Sequence, residues 1–140
     1  MNMSRHPPKY PEAVNALLGA LAFEHDPDEV KAVQYALERP RERRTPYVLT
    51  SFGRGFTRRF LKKPVAIRYD PCTPDRFNHA SRELSLSKPE LVRLLHEIGH
   101  AKYGASEDAA VFYSLGLILK AEPKFTPILK GHVLMNDPYL

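Results

Sequence analysis

His96-Glu97-Ile98-Gly99-His100 sets two imidazoles around a glutamate at a spacing of four residues. Four residues is about one helical turn, so on a helix both histidines share a face. Two imidazoles on one face can grip a single Zn²⁺, and Glu97 beside them is placed to take a proton from an activated water. The spacing predicts metal-assisted hydrolysis, most often of a peptide bond.

A catalytic zinc takes three protein ligands and keeps a position for water. Glu107, Asp108, Glu122 and His132 follow His100 as candidates for the third. Glu107 is favoured, because it opens a second apolar-periodic run just across a tight turn from His100. Glu107 and Asp108 would also serve simply as first-turn acids that favour the helix dipole. His132 is an alternative if the tail folds back. As a fourth ligand it would close the site into a structural one and block the water position.

These residues need elements to hold them. Ser87 suits an N-cap, Pro89 the first helical position and Glu90 the capping-box position. Leu91, Leu94, Leu95 and Ile98 recur at helical spacing, which predicts a helix over about 88–103, stopped by Gly104. Gly99 costs about 1 kcal/mol against Ala inside a helix; close approach of another backbone would account for it. Ala110, Tyr113, Ser114, Leu117 and Ile118 make one face of a second helix over about 106–120.

Upstream, Ala13, Leu17, Leu18 and Leu21 give helical periodicity over 11–23. A further helix is expected over 26–37, with Pro27 at its first position and Pro40 ending it. Segments 47–51, 65–69 and, more weakly patterned, 82–86 read as strands. The order predicts an α+β fold in a single domain. Residues 1–10 form a loose arm, 11–38 a helical N-terminal part, 47–120 a short mixed sheet with the metal-site helices, and 121–140 a tail apolar enough to pack.

Hydrophobic residues are 43% and charged residues 26% of the 140, as in an ordinary globular protein. No apolar run reaches the length of a membrane span, and the first residues lack a signal-peptide core. The single cysteine, Cys72, in a Pro-Cys-Thr-Pro turn, excludes an internal disulfide and fits a reducing, cytoplasmic setting. His6, His25 and His79 lack partners at ligand spacing and are expected at the surface or at caps. Tyr103, ending the metal helix, is a candidate donor to a developing oxyanion, though such a tyrosine more often packs.

The formal net charge of +5 is unevenly spread. Between Arg39 and Lys63 stand nine basic residues, among them Arg54, Arg58, Arg59, Lys62 and Lys63, against Glu42 alone. Phe52, Phe56 and Phe60 are interleaved, and Gly53-Arg54-Gly55 suggests a flexible Arg-bearing turn. Such a segment can hold phosphate backbone and stack on bases, or attract an acidic or DNA-bound protein. The plainer expectation is a solvated basic face with the phenylalanines, four apart, turned into the core.

The run Arg82-Glu83-Leu84-Ser85-Leu86-Ser87, followed by Leu94-Leu95-His96-Glu97-Ile98-Gly99-His100-Ala101, resembles the ImmA/IrrE-type zincin metallopeptidases. In that family a short strand precedes the H-E-x-x-H helix, and the next helix carries E-x-x-A-x-x-F-A-x-x-L-L. Glu107, Ala110, Tyr113, Ser114, Leu117 and Ile118 occupy those places, with Tyr-Ser for the usual Phe-Ala and a short link from His100. The resemblance covers about residues 65–120. It implies a zincin-like domain in which His96, His100 and Glu107 bind zinc and Glu97 is the general base. It also implies that strand 82–86 is the edge strand onto which an extended peptide adds, and that the substrate is a specific regulatory protein such as a DNA-binding repressor. The competing expectation is a catalytically silent zincin-like protein that binds nucleic acid or a transcription-related partner through 39–63.

Overall fold

The computed structural model describes residues 11–39 and 45–122. Five helices and three strands appear among them: α1 (Pro11–Ala22), α2 (Pro27–Leu37), α3 (Pro46–Phe60), β1 (Ala66–Tyr69), β2 (Arg76–Asn78), β3 (Glu83–Leu86), α4 (Leu91–Tyr103) and α5 (Glu107–Ala121). The fold is α+β, as the element order predicts. Pro40, the arm at 1–10, His6, His132 and the tail from 123 lie outside the described residues.

The strand expected at 47–51 is instead the first part of α3. Tyr47, Val48 and Thr50 favour strands, but Pro46 sits at the first helical position, where its fixed φ suits a helix. Leu49, Gly53 and Phe56 are buried on one stripe, and the period of 3.6 prevails over local propensity. Phe52, Phe56 and Phe60 continue that stripe, with ring centroids 5.7 and 4.8 Å apart. Gly53-Arg54-Gly55 is therefore mid-helix and not a flexible turn. A Cβ on Gly53 would sit 2.9 Å from Ile67 of β1 and 3.1 Å from Leu94 of α4, so this glycine lets α3 lie close on both.

The sheet has the order β1-β3-β2. β3 runs parallel to β1, with Ile67 opposite Leu84, and antiparallel to β2, with Phe77 opposite Leu84. β3 is thus the central strand, which corrects the expectation that 82–86 forms an edge. β1 and β2 are the two edges, and β2 is a three-residue element with no strand expectation behind it. Its turn into β3 is closed by Asn78, whose side-chain oxygen accepts from the Ala80 and Ser81 amides at 2.9 and 3.0 Å. Arg82 then takes a left-handed φ of 55°.

Ser87 does not cap α4. Its amide and hydroxyl both donate to Asp75 Oδ1, at 2.6 and 2.8 Å, and the helix begins three residues after the expected position, with Glu90 at the N-cap. A carboxylate brought in by the fold has outcompeted the local capping pattern.

α5 begins at its expected cap: Ser106 Oγ accepts from the Ala109 amide at 3.1 Å. The helix is buried on most of its circumference from Tyr113 to Leu119, as befits a core helix packed by α1, α2 and α4. Gly116 admits the α1 backbone and His25: an added Cβ would stand 2.6 Å from Ala20 O and 2.2 Å from the His25 ring. His25 is accordingly half-buried and not a surface residue. Its Nδ1 accepts from Lys120 Nζ and its Nε2 donates to Tyr113 O, both at 2.9 Å, and burial lowers its pKa.

Candidate metal centre

α4 carries His96, Glu97 and His100, and its first two turns are almost wholly buried. Leu94, Leu95 and Ile98 are fully enclosed and fix the rotation of the helix. That rotation turns His96 and His100 together, with ring centroids 5.0 Å apart. The tight turn through Gly104, at φ 91°, then brings the start of α5 back against them.

Glu107 meets both rings. Its Oε1 lies 3.0 Å from His96 Nε2, and its Oε2 lies 3.1 Å from His100 Nε2. One donor atom from each of the three residues falls within 4.8 Å of the others. Asp108, the neighbouring candidate, does not join this group among the described residues.

The three donor atoms could hold a metal ion. Two imidazole nitrogens and one carboxylate oxygen are the set expected of a three-ligand zinc site. The His100 ring supplies a second observation. Its Nδ1 faces Gly104 O at 2.9 Å, and a carbonyl only accepts, so Nδ1 carries a proton. In the neutral ring Nε2 would then be a bare lone pair pointing at a carboxylate. A proton or a metal cation between Nε2 and Glu107 makes the arrangement favourable. The Nδ1–H donation to a backbone carbonyl is also the usual way a ligand histidine is oriented.

Electrostatics follow from the burial. Desolvation lowers the pKa of His96, although Glu107 opposes the shift, so the ring is biased toward the neutral, ligating form. Burial works against ionisation of Glu107, but hydrogen bonds and charge from the two histidines outweigh it and lower its pKa. Burial pushes Glu97 up to about 7, with the negative charges of Asp75 and Glu107 adding to the effect. A carboxyl with its pKa near neutrality is suited to both accepting and returning a proton.

His96, Glu97 and Glu107 line a cavity of about 250 Å³ together with Asp75 and Arg93. The last two escaped the sequence reading. Arg93 is legible in retrospect, three residues before His96 on the same helical face. Asp75 belongs to the loop before β2, and only the fold brings it here. Arg93 donates from Nη1 to Asp75 Oδ2 at 2.9 Å and from Nε to Glu90. These bonds and those from Ser87 hold Asp75 ionised against its partial burial. The cluster ties the loop before β2 to the head of α4 and forms one wall of the cavity.

His79, in the turn just after β2, is exposed as expected. It nonetheless lies beside the centre, its ring 6.5 Å from that of His100. Tyr103 packs its ring on Phe23 and Tyr113, at 5.2 and 5.5 Å, and does not line the site cavity. The basic residues Arg54, Arg58, Lys62 and Lys63 gather elsewhere, around a separate cavity at the end of α3. No helix among the described residues is long and apolar enough to cross a membrane. No protein-family model, curated protein or solved structure matches the sequence.

Proposed function

We propose that this protein is a zinc-dependent metallopeptidase of the zincin type, with the ImmA/IrrE-like arrangement suggested by its motifs. The observation that carries the reading is the convergence of His96, His100 and Glu107 beside a buried Glu97 whose pKa is raised to about 7. His96, His100 and Glu107 hold the metal. Bound there, zinc acidifies water and polarises a substrate carbonyl.

The chain's own groups do the rest. Glu97 accepts a proton from water as the water attacks the peptide carbonyl, then returns it to the departing amine. The bond from His100 to Gly104 O keeps Nε2 directed at the centre. Substrate enters through the cavity bounded by Asp75 and Arg93, next to the edge strand β2, whose free side can take an extended peptide by main-chain hydrogen bonds.

The test is metal content followed by hydrolysis. Wild-type protein is expected to hold about one zinc per chain, and His96→Ala to lose it. Glu97→Gln should retain the metal and lose cleavage of a peptide library. A wild type that takes up no zinc when supplied with it would overturn the reading. So would a Glu97→Gln variant that cleaves at the wild-type rate.

A further inference from the structure

α3 ends in a run of cations, and the chain then folds so that they share one concave surface. Arg54, Arg58, Lys62 and Lys63 line a cavity of about 450 Å³ floored by Leu61 and Ile67. A second cavity of about 450 Å³ shares Leu61, Lys62 and Lys63 with the first, and continues past Phe60 to Lys102 and Tyr103. The two adjoin at these shared residues and make a paired groove. Among the described residues no aspartate or glutamate lines either part.

The cations of the groove differ in what they already hold. Lys102 is committed to Glu29 at 2.5 Å. Arg82, on the rim of the second cavity, donates to the carbonyls of Pro64 and Lys63 at 3.1 and 3.4 Å. Arg54 makes a single long bond to Ile67 O at 3.3 Å. Arg58, Lys62 and Lys63 are exposed and form no ion pair among the described residues. Like charges gathered on a concave wall repel one another, and an anion with several charges at chain spacing relieves that repulsion. An aromatic residue lies beside these cations: Tyr103 is 42% exposed and lines the second cavity with Lys62 and Lys63.

We propose that this groove binds single-stranded nucleic acid, with phosphates on Arg54, Arg58, Lys62 and Lys63 and a base stacked on Tyr103. A concave, cation-lined track with an aromatic platform is the form of single-strand sites. A duplex, by contrast, is read by an element that protrudes into a groove. The site is separate from the metal centre and does not depend on hydrolysis.

The experiment is fluorescence anisotropy of the full chain with labelled oligothymidylate of about 16 nucleotides, the upper site size of a single-strand-binding fold. Binding should weaken with salt at a log–log slope of about −3, from about −0.7 per phosphate and four contacts. Arg58→Glu/Lys62→Glu/Lys63→Glu should bind at least tenfold more weakly. The milder Lys62→Ala/Lys63→Ala should flatten the slope by about 1.4 and guards against misfolding of the triple variant. Tyr103→Ala should weaken binding at least several-fold without changing the slope. His96→Ala should bind as wild type, which separates this site from the metal centre. Overturning results would be an unchanged slope in Lys62→Ala/Lys63→Ala, tighter binding to a duplex of equal length, or tighter binding to polyglutamate than to the oligonucleotide.

Discussion

A Cβ on Gly99 would lie 2.9 Å from the Cα of Ala110, so α4 and α5 cross with their backbones nearly in contact at this pair. Gly99 stands three residues after His96, and Ala110 three after Glu107. The crossing is therefore one turn from the candidate metal centre, and the absent side chain sets how near Glu107 comes to the two histidines. Gly99→Ala would gain up to about 1 kcal/mol of helix propensity. It would lose about 1–3 kcal/mol to overpacking against rigid backbone. The expected outcome is a melting temperature lower by a few degrees and a zinc affinity reduced at least tenfold, read by calorimetry and chelator competition. A more stable variant with unchanged affinity would show that the helices have room to spare.

Glu107 and Asp108 are adjacent acids, but only Glu107 reaches the histidines. Glu107→Ala is expected to weaken zinc binding at least tenfold, whereas Asp108→Ala leaves it within about twofold and costs only the few tenths of a kcal/mol of a first-turn acid. Equilibrium dialysis of both variants decides it. Equal losses would mean that the two carboxylates act through general charge and not through ligation.

The metal-free protein should carry a pH signature of Glu97. Its folded pKa is raised from 4.5 to about 7, so the folded state binds the proton more tightly than the unfolded chain does. The stability from this group is whole below pH 4.5 and is lost as the pH climbs through 7. His96 acts oppositely: its pKa is lowered from 6.5, so it removes stability as the pH falls below that value. Glu97→Gln leaves His96 in place. Melting curves of wild type and variant in EDTA, subtracted, should show the wild type losing ground between pH 4.5 and 7. Zinc should shrink that loss, because a nearby cation favours the carboxylate. A flat difference curve would mean Glu97 ionises in the folded state as it does in solvent.

The Tyr113 hydroxyl donates to Glu29, a carboxylate only 1% exposed. Lys102 of α4 holds the other oxygen of Glu29, so one buried carboxylate joins α2, α4 and α5. Tyr113→Phe should cost about 1–3 kcal/mol, the penalty of a buried acceptor left short of a donor. Glu29→Ala, which strands both partners, should cost about 3–5 kcal/mol. Urea denaturation measures both. A Tyr113→Phe variant of wild-type stability would show the hydroxyl to be dispensable.

Much of the fold was legible because its signals are local. The periodicity of 11–22, 27–37 and 107–121, the Pro27 and Ser106 helix starts, the Gly104 stop and the strands near 65–69 and 82–86 all depend on residues within a turn or two of each other. The pairing of His96 with His100 follows from helix geometry alone. The oddity of Gly99 pointed to a close backbone, although not to Ala110.

Elsewhere tertiary contacts overrode local preference. Tyr47, Val48 and Thr50 favour strands, yet they lie in α3 because Leu49, Gly53 and Phe56 have β1 and α4 to pack against. Ser87 is a good cap in isolation but is claimed by Asp75, a partner 12 residues away. Strand 82–86 turned out to be central because β2, three residues long, is too short for any alternation to reveal. Sequence spacing determined that His96 and His100 would face one way, with Glu97 beside them. Only packing decided that Glu107, and not Asp108, would complete the group, and that Asp75 and Arg93 would wall the cavity. Helical spacing is fixed by the backbone, whereas the meeting of separate segments is fixed by how their side chains fill a common core.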